Sequence, residues 1–98
     1  MSVYFVAMQD VKDQAKLDQY LEKVGTTLPA DLKVLSIDAE PELIEGSATR
    51  RTVLLEFDSR EDFRRWYDSD AYQAIAQLRK DAGPATVLLA EGFVPPSD

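Results

Sequence analysis

The stretch RTVLLEF, at residues 51–57, decides the fold because it is apolar on both sides of an extended strand. Successive side chains of a strand point to opposite faces of the sheet, so Val53, Leu55 and Phe57 point to one face. Leu54 points to the other face. A sheet face in water alternates apolar with polar residues, whereas a strand covered on both faces is apolar throughout. The stretch therefore predicts a strand that is covered on both sides.

Two other segments have the same character. Residues 3–8, VYFVAM, and residues 86–93, TVLLAEGF, are rich in β-branched and aromatic side chains and are apolar on both faces. A sheet made of such strands needs a cover on each face, because soluble monomers rarely expose an apolar patch larger than a few hundred Å². A second copy of the chain is the simplest cover for one face, since closed two-fold dimers are the commonest oligomers.

The residues after the first strand have the spacing of an amphipathic helix. Leu17, Leu21, Val24 and Leu28 recur at intervals of three and four residues, as on one helix face. Asp10 precedes them and is the expected N-cap. A helix is therefore predicted between the first and second strands.

Residues 32–40 alternate as a half-buried strand does. Leu35 and Ile37 are predicted on one face, and Val34 on the other. Pro41 cannot donate a ladder hydrogen bond, so this strand is expected to end, bulge or lie at an edge there.

The second half of the chain repeats the alternation of strand and helix. Ser59 and Ser69 are the expected N-caps of two successive helical pieces, which the Gly-Pro pair at 83–84 ends. The order β-α-β-β-α-β predicts an α+β ferredoxin-like domain. Right-handed crossovers place its helices on one face of a four-stranded antiparallel sheet. We expect one domain at 1–94 and a polar tail at 95–98.

Composition excludes several classes of function. The 98 residues include no Cys and no His, which removes disulfides, Cys and His catalytic arrangements and most zinc sites. The net charge of −7 repels phosphate backbones, so no nucleic-acid partner is expected. The first residues contain neither an apolar run long enough for a membrane span nor a basic leader, so we expect a cytoplasmic protein with no membrane partner.

Charged and aromatic residues among the apolar segments are the candidate site residues. Glu56 lies either at a solvated strand end or in a desolvated place where a raised pKa suits acid/base work. Arg79 could bind a carboxylate, or its charge could only stabilise the helix by interacting with the helix dipole at the C-terminal end. Trp66, Tyr67 and Tyr72 could line a ligand pocket, or pack as core against the sheet.

One acidic run has a composition that hard cations favour. Four carboxylates fall within residues 38–45, but their spacing matches no EF-hand loop and Pro41 interrupts the strand parity. We interpret the run as a solvated edge that discourages strand pairing. No metal site and no cofactor are therefore predicted.

Four stretches resemble the DUF1330 family of the dimeric α/β-barrel superfamily: LIEG at 43–46, RRTVLLEF at 50–57, WYDSDAYQAIAQLR at 66–79 and LLAEGF at 88–93. The resemblance implies a ferredoxin-like fold and a homodimer through the sheet face, but the family has no defined activity. Superfamily relatives include cofactor-independent monooxygenases, isomerases and haem enzymes. This chain has Ile-Asp-Ala at 37–39 where the family has an Arg-Gly-Gly-like stretch, so a pocket that used that arginine would be altered.

Two functions follow from these residues. The first is a homodimeric domain that binds a small molecule and has no catalytic constellation. The second is a small cofactor-independent enzyme, an isomerase or monooxygenase, acting on an apolar or aromatic carbonyl metabolite. In it Glu56 would be the acid or base, Tyr67 and Tyr72 the orienting hydroxyls, and Arg79 the anion clamp. That enzyme requires Glu56 and the tyrosine hydroxyls to meet in one cavity.

Overall fold

The fold is described by a computed structural model that covers residues 1–47 and 50–96. Of the expected tail, residues 97–98 lie outside these ranges. The elements follow the predicted order, with the second helical connection in two pieces: β1 (Val3–Gln9), α1 (Gln14–Val24), a short 3₁₀ turn (Gly25–Thr27), β2 (Lys33–Asp38), β3 (Arg51–Phe57), α2 (Arg60–Tyr67), α3 (Asp70–Asp81) and β4 (Ala85–Glu91).

The four strands form one antiparallel sheet in the order β2-β3-β1-β4. The two strands with the most apolar sequences, β1 and β3, therefore lie at the centre, and β2 and β4 are the edges. This arrangement confirms the prediction of an α+β ferredoxin-like domain. No helix within the described ranges is both long and apolar enough to cross a membrane.

The core lies between one face of the sheet and the helices. Alternate residues of β1 (Val3, Phe5 and Ala7) are buried there, whereas the residues between them are half-buried. Rings from the sheet and from α2 fill the space: Phe57 lies 5.4 Å from Phe63, measured between centroids. Since edge-to-face rings add about 1 kcal/mol beyond their area, this cluster fixes α2 on the sheet.

Serine caps start the two later helices, as predicted. The Ser59 side chain accepts a hydrogen bond from the backbone amide of Asp62, and the Ser69 side chain accepts one from the amide of Tyr72. These bonds satisfy amides that have no partner within the helix. Residues 68–69, which lie between the end of α2 and the start of α3, are therefore the joint between the two helices.

The N-cap of α1 was predicted at the wrong aspartate. The Asp13 side chain accepts from the amide of Lys16 and caps the helix. Asp10 instead ends the β1 segment, where its amide donates to the carbonyl of Pro84. The β-sheet edge thus holds Asp10 in place, and the helix begins only after the chain has turned.

The faces predicted for β2 were also wrong, because the strand contains an irregular register between Val34 and Ser36. Val34 lies opposite Leu55, and Ile37 lies opposite Val53. A bulge adds one residue to a strand and so reverses the face of every residue beyond it. Val34 and Ile37 therefore share the helix-side face, although they are three residues apart and regular alternation would place them on opposite faces.

The described residues do not cover the middle of the other face of the sheet, although residues 41–45 lie beside Met8 and Thr52 at one end of it. Its middle row crosses three strands, with Val6 between Leu54 and Leu88. Leu88 is 51% exposed, and Val6 and Leu54 are half-buried. This surface is named the open face below.

The turn between α3 and β4 depends on Gly83, and we predict that Gly83→Ala destabilises the protein by about 3 kcal/mol or more. Gly83 has φ +150°, and an added Cβ would lie 2.0 Å from the carbonyl oxygen of Asp10. Gly25→Ala is the matched control, since Gly25 has helical backbone angles and open space around its Cα. It should change stability by less than about 1 kcal/mol. Urea unfolding measures both; equal effects would contradict the turn geometry.

Candidate functional site

A cavity of about 90 Å³ lies between α1 and the helix-side face of the sheet. Its walls are apolar side chains of the strands, such as Val53 and Leu55, and of α1, such as Leu21. Small-molecule sites are mostly apolar clefts with a few well-placed polar groups. This cavity, named the α1 cavity, is therefore the candidate site.

The polar groups of the α1 cavity come from four elements. Arg79 reaches it from α3, Tyr20 from α1, Gln9 from β1 and Arg51 from β3. Gln9 and Arg51 are cross-strand partners, so they bring their side chains to the same end of the sheet. No acidic residue of the described part lines this cavity.

Gln9 holds the end of α3 against the sheet. Its side-chain amide donates to the carbonyl oxygens of Arg79, at 2.7 Å, and Gly83, at 3.0 Å. These carbonyls belong to the last turn of α3 and to the second residue after it, and the Arg79 carbonyl also accepts from the amide of Ala82 at 3.1 Å. Gln9 is only 3% exposed, so a polar side chain within the core fixes the position of Arg79.

A chain of hydrogen bonds joins Arg79 to α1. The Nε of Arg79 donates to the hydroxyl oxygen of Tyr72 at 3.2 Å, and the hydroxyls of Tyr72 and Tyr20 are 2.9 Å apart. Tyr72 is fully buried, and its ring lies edge-to-face with Tyr20 at 6.2 Å between centroids. The chain therefore orients Arg79 from within the protein.

The same chain sets the protonation of its members. Burial, with the nearby Tyr72 hydroxyl, raises the pKa of Tyr20 well above its ordinary value. Burial works to lower the pKa of Arg79, but the hydroxyl of Tyr72 opposes it and the pKa is raised on balance. Tyr20 is therefore a neutral hydroxyl at physiological pH and Arg79 a full positive charge.

Arg79 is 8% exposed, yet no carboxylate neutralises it. Within residues 1–47 and 50–96, no ion pair includes Arg79, and the only side-chain hydrogen bond of its guanidinium is the one to Tyr72. The terminal Nη nitrogens are left without a protein partner in this part of the chain. Because Arg79 lines the α1 cavity, those nitrogens are available to a ligand.

Glu56 lies on the open face rather than in the α1 cavity. It accepts a hydrogen bond from the Ser2 hydroxyl at 2.9 Å and lies 3.8 Å from the Lys33 ammonium. It also borders a separate groove of about 500 Å³ at the end of β3, which Trp66 lines from the other side. Glu56 is thus a paired carboxylate at a strand end.

The aromatic candidates are distributed over the core. Trp66 lines both the α1 cavity and the groove beside Glu56, and its indole N–H donates to Thr27 at 3.0 Å. Tyr72 packs on Trp66 with 4.3 Å between centroids, and Tyr67 stacks on Phe63 at 5.3 Å. Neither Tyr67 nor Tyr72 lines either cavity.

The arrangement expected for the enzyme therefore does not occur. Glu56 cannot meet Arg79, because strand alternation places Glu56 on the face opposite the helices that carry Tyr67, Tyr72 and Arg79. Of the predicted residues, Trp66 and Arg79 share the α1 cavity, and Tyr72 supports Arg79 from behind.

Sequence reasoning missed Tyr20 and Gln9 as members of the site, and it interpreted Arg51 as a solvated or ion-paired residue at the start of β3 rather than as a ligand-binding one. Gln9 has the same strand parity as Phe5 and Ala7, which marks it as a polar residue on a buried face. Arg51 has the same parity as Val53 and Leu55. That signal was present, but only the register between β1 and β3 shows that the two residues are neighbours.

The acidic run at 38–45 begins in β2, where Asp38 lies opposite Thr52, and continues into a segment that borders Met8 and Arg50. The Asp38 side chain accepts from the amide of Glu40. No group of three or more acidic side chains with the geometry of a metal site occurs in the parts of the chain that the structure covers.

Three solved structures with a similar fold are distant from this chain in sequence. A protein of unknown function from Rhodopseudomonas palustris has a TM-score of 0.78 at 11% identity, over 96% of this chain and 84% of that one. SnoaB from Streptomyces nogalater, a cofactor-independent oxygenase, has a TM-score of 0.69 at 11% identity, over 99% and 98%. A dimeric ferredoxin-like protein of unknown function from Thermobifida fusca has a TM-score of 0.62 at 11% identity, over 91% and 89%. These likenesses show the fold.

No curated protein matches the sequence. A family model does match it, over residues 2–93, which is nearly the whole chain and includes every strand and helix described above. The predicted resemblance is therefore confirmed: the chain belongs to the DUF1330 family, a domain of unknown function.

Proposed function

We propose that this protein binds a small organic anion in the α1 cavity, with Arg79 as the anion-binding group. One observation carries the proposal: Arg79 is only 8% exposed beside an apolar cavity, and its terminal nitrogens have no protein partner in the described residues and are therefore accessible to solvent. The function is thus the first of the two hypotheses, a small-molecule-binding domain.

The energy of a buried charge supports an anionic ligand. A charge that is largely removed from water loses part of its hydration, and proteins normally compensate that loss with an opposite charge. The chain has 18 acidic residues against 11 basic ones, so acids are abundant, yet none lines this cavity within the described ranges. A carboxylate can accept two parallel hydrogen bonds from one guanidinium, which fits the free end of Arg79.

The Tyr20 hydroxyl would orient the ligand beside that charge. Tyr20 lies at the end of the hydrogen-bonded chain and also lines the cavity. As a neutral phenol it can donate a hydrogen bond to a carboxylate or a carbonyl oxygen. The site therefore offers a positive charge and a neutral donor at one end and only apolar walls at the other.

The enzyme hypothesis has less support. The fold is shared with SnoaB, a cofactor-independent oxygenase, but a fold does not carry an activity between proteins at 11% identity. Glu56, the proposed acid or base, lies on the other face of the sheet. Tyr20 is a poor base because its raised pKa disfavours the phenolate. Binding without catalysis is thus the better-supported function.

We also propose that two copies associate through the open face. The described residues leave the Leu54-Val6-Leu88 row uncovered, although these strands are apolar on both sides. The similar structures from Thermobifida fusca and Bacteroides fragilis are both dimeric proteins with a ferredoxin-like fold. Two copies of one apolar face complement each other in a two-fold dimer.

The cytoplasmic location of the protein also stays a prediction.

The anion-binding role predicts a selective effect of Arg79→Gln. Octanoate or benzoate should raise the melting temperature of the wild type, and Arg79→Gln should lower the affinity about 10- to 100-fold, since a charge-assisted hydrogen bond contributes about 1.5–3 kcal/mol. Arg64→Gln makes the same change of charge at an exposed side chain and should behave as the wild type. Equal ligand shifts in the two variants would contradict the role of Arg79.

The buried tyrosine pair predicts a loss of stability at high pH. The raised pKa of Tyr20 means that only the unfolded chain ionises it above pH 10, so its stabilisation is complete below that pH and is lost as pH rises. Between pH 9 and 11 the wild type should lose about 1.4 kcal/mol more than Tyr20→Phe. Val53→Ala, which removes no ionisable group, should keep the wild-type dependence. Urea unfolding across this range decides; identical slopes for wild type and Tyr20→Phe would refute the burial of a neutral phenol.

The dimer predicts a mass of twice the 11.0 kDa chain in sedimentation at micromolar concentration. Leu88→Glu should give single chains, because it places a charge in the middle row of the open face. Ala74→Glu, at an exposed position of α3, is the control and should stay dimeric. A wild type of 11.0 kDa, or a dimeric Leu88→Glu, would exclude association through this face.

A further inference from the structure

We infer that the ligand is an amphipathic monocarboxylate, whose carboxylate binds Arg79 and whose apolar chain leaves the α1 cavity between α1 and β2. The inference rests on the proposed function and adds the class and direction of the ligand. It is carried by an exposed apolar rim that continues the cavity wall: Leu21 of α1 with Val34 and Ile37 of β2.

The rim is apolar although it is exposed. Leu21 is 42% exposed, Val34 51% and Ile37 59%, and all three line the α1 cavity. Single exposed apolar residues are common, but a group that is continuous with an internal cavity marks a binding surface. The rim therefore extends the apolar wall from the core to the surface.

The irregular register of β2 builds this rim. It brings Val34 opposite Leu55 and Ile37 opposite Val53, two residues that also line the cavity. With regular alternation only one of Val34 and Ile37 would face the helices. Bulges are common beside functional sites, where they redirect a side chain.

The size of the cavity requires that a ligand of ordinary size extends over the rim. Its volume is about 90 Å³. An apolar cavity of about 150 Å³ holds one benzene molecule, so the enclosed space here holds a carboxylate and only a few carbon atoms. The rest of the ligand must lie outside, and the rim is the apolar surface next to that space.

The distribution of polar groups favours one acid group on an apolar chain. The polar residues that line the cavity are Gln9, Tyr20, Arg51 and Arg79, and Gln9 and Arg51 are paired at one end of the sheet. Between that end and the rim the walls are apolar side chains, so a second charged group along the chain of the ligand, away from Arg51 and Arg79, would be desolvated without a partner. A sugar or nucleotide would meet the same cost.

The rim is also distinct from the open face. Val34 and Ile37 share the helix side of the sheet with Leu55 and Val53, whereas Val6 and Leu88 belong to the opposite side. A dimer through the open face therefore leaves the rim accessible to a ligand. A second copy seated on the rim would be a different assembly, which the experiment below detects.

A series of straight-chain acids tests the inference, with the fluorescence of Trp66 as the readout. Trp66 is the one tryptophan of the chain and lines the cavity. From butanoate to decanoate, below the micelle concentration, the affinity should rise about three- to fourfold with each added methylene group. Octan-1-ol, which has the chain but no charge, should bind at least about tenfold more weakly than octanoate.

Variants separate the rim from the anion site. The double variant Val34→Thr/Ile37→Thr keeps β-branched residues in β2 and should reduce the gain per methylene to about twofold or less. Ile44→Thr changes an apolar residue that is 78% exposed and distant from the cavity wall, and should leave the gain unchanged. Arg79→Gln should weaken every acid by a similar factor and preserve the gain. Circular dichroism checks that each variant is folded.

The outcomes distinguish the inference from the proposed function. Affinities that depend on Arg79 but not on chain length would overturn the inference that the ligand is amphipathic and would leave the proposed anion site intact. No binding of any acid to the wild type would overturn both. A change of sedimentation in Val34→Thr/Ile37→Thr without a change in the gain per methylene would show that a protein partner, and not an acyl chain, covers the rim.

Discussion

The hydrogen bond from Arg79 to Tyr72 holds a largely buried positive charge at the end of the core where the polar side chain of Gln9 is also buried. Tyr72 passes the contact to Tyr20, so the pair also joins α3 to α1. Gln9 fixes the carbonyl end of the same helix turn to β1. Removal of any of these groups would leave a buried polar atom without a partner, which costs about 1–3 kcal/mol. The arrangement is therefore both part of the core and the polar end of a cavity.

Several elements could be predicted from local sequence because their cause is local. RTVLLEF forms a strand from its own composition, and Ser59 and Ser69 cap helices through bonds that span three residues. The expectations that failed depend on distant contacts. Asp10 is held by Pro84 across the sheet edge, which moved the cap of α1 to Asp13, and the bulge in β2 is visible only in its register with β3.

The candidate site follows the same division. The residue types could be selected from sequence, since a carboxylate, an arginine and aromatic rings stood among apolar segments. The grouping of these residues in space could not be predicted, because it depends on the face of the sheet on which each strand residue lies. Glu56 alternates away from the helices, whereas Gln9 and Arg51 turn towards Arg79. Two residues of the site were thus present in the sequence without any signal that they belong together.

The central claim is that the terminal nitrogens of Arg79 are free to bind a ligand carboxylate, and a crystal structure of the protein with octanoate tests it most directly. The account predicts carboxylate oxygens about 2.7–2.9 Å from the Arg79 Nη atoms, with the chain passing between Leu21 and Ile37. An acidic side chain paired with Arg79, from this chain or from a second copy, with the cavity closed to octanoate, would contradict the account.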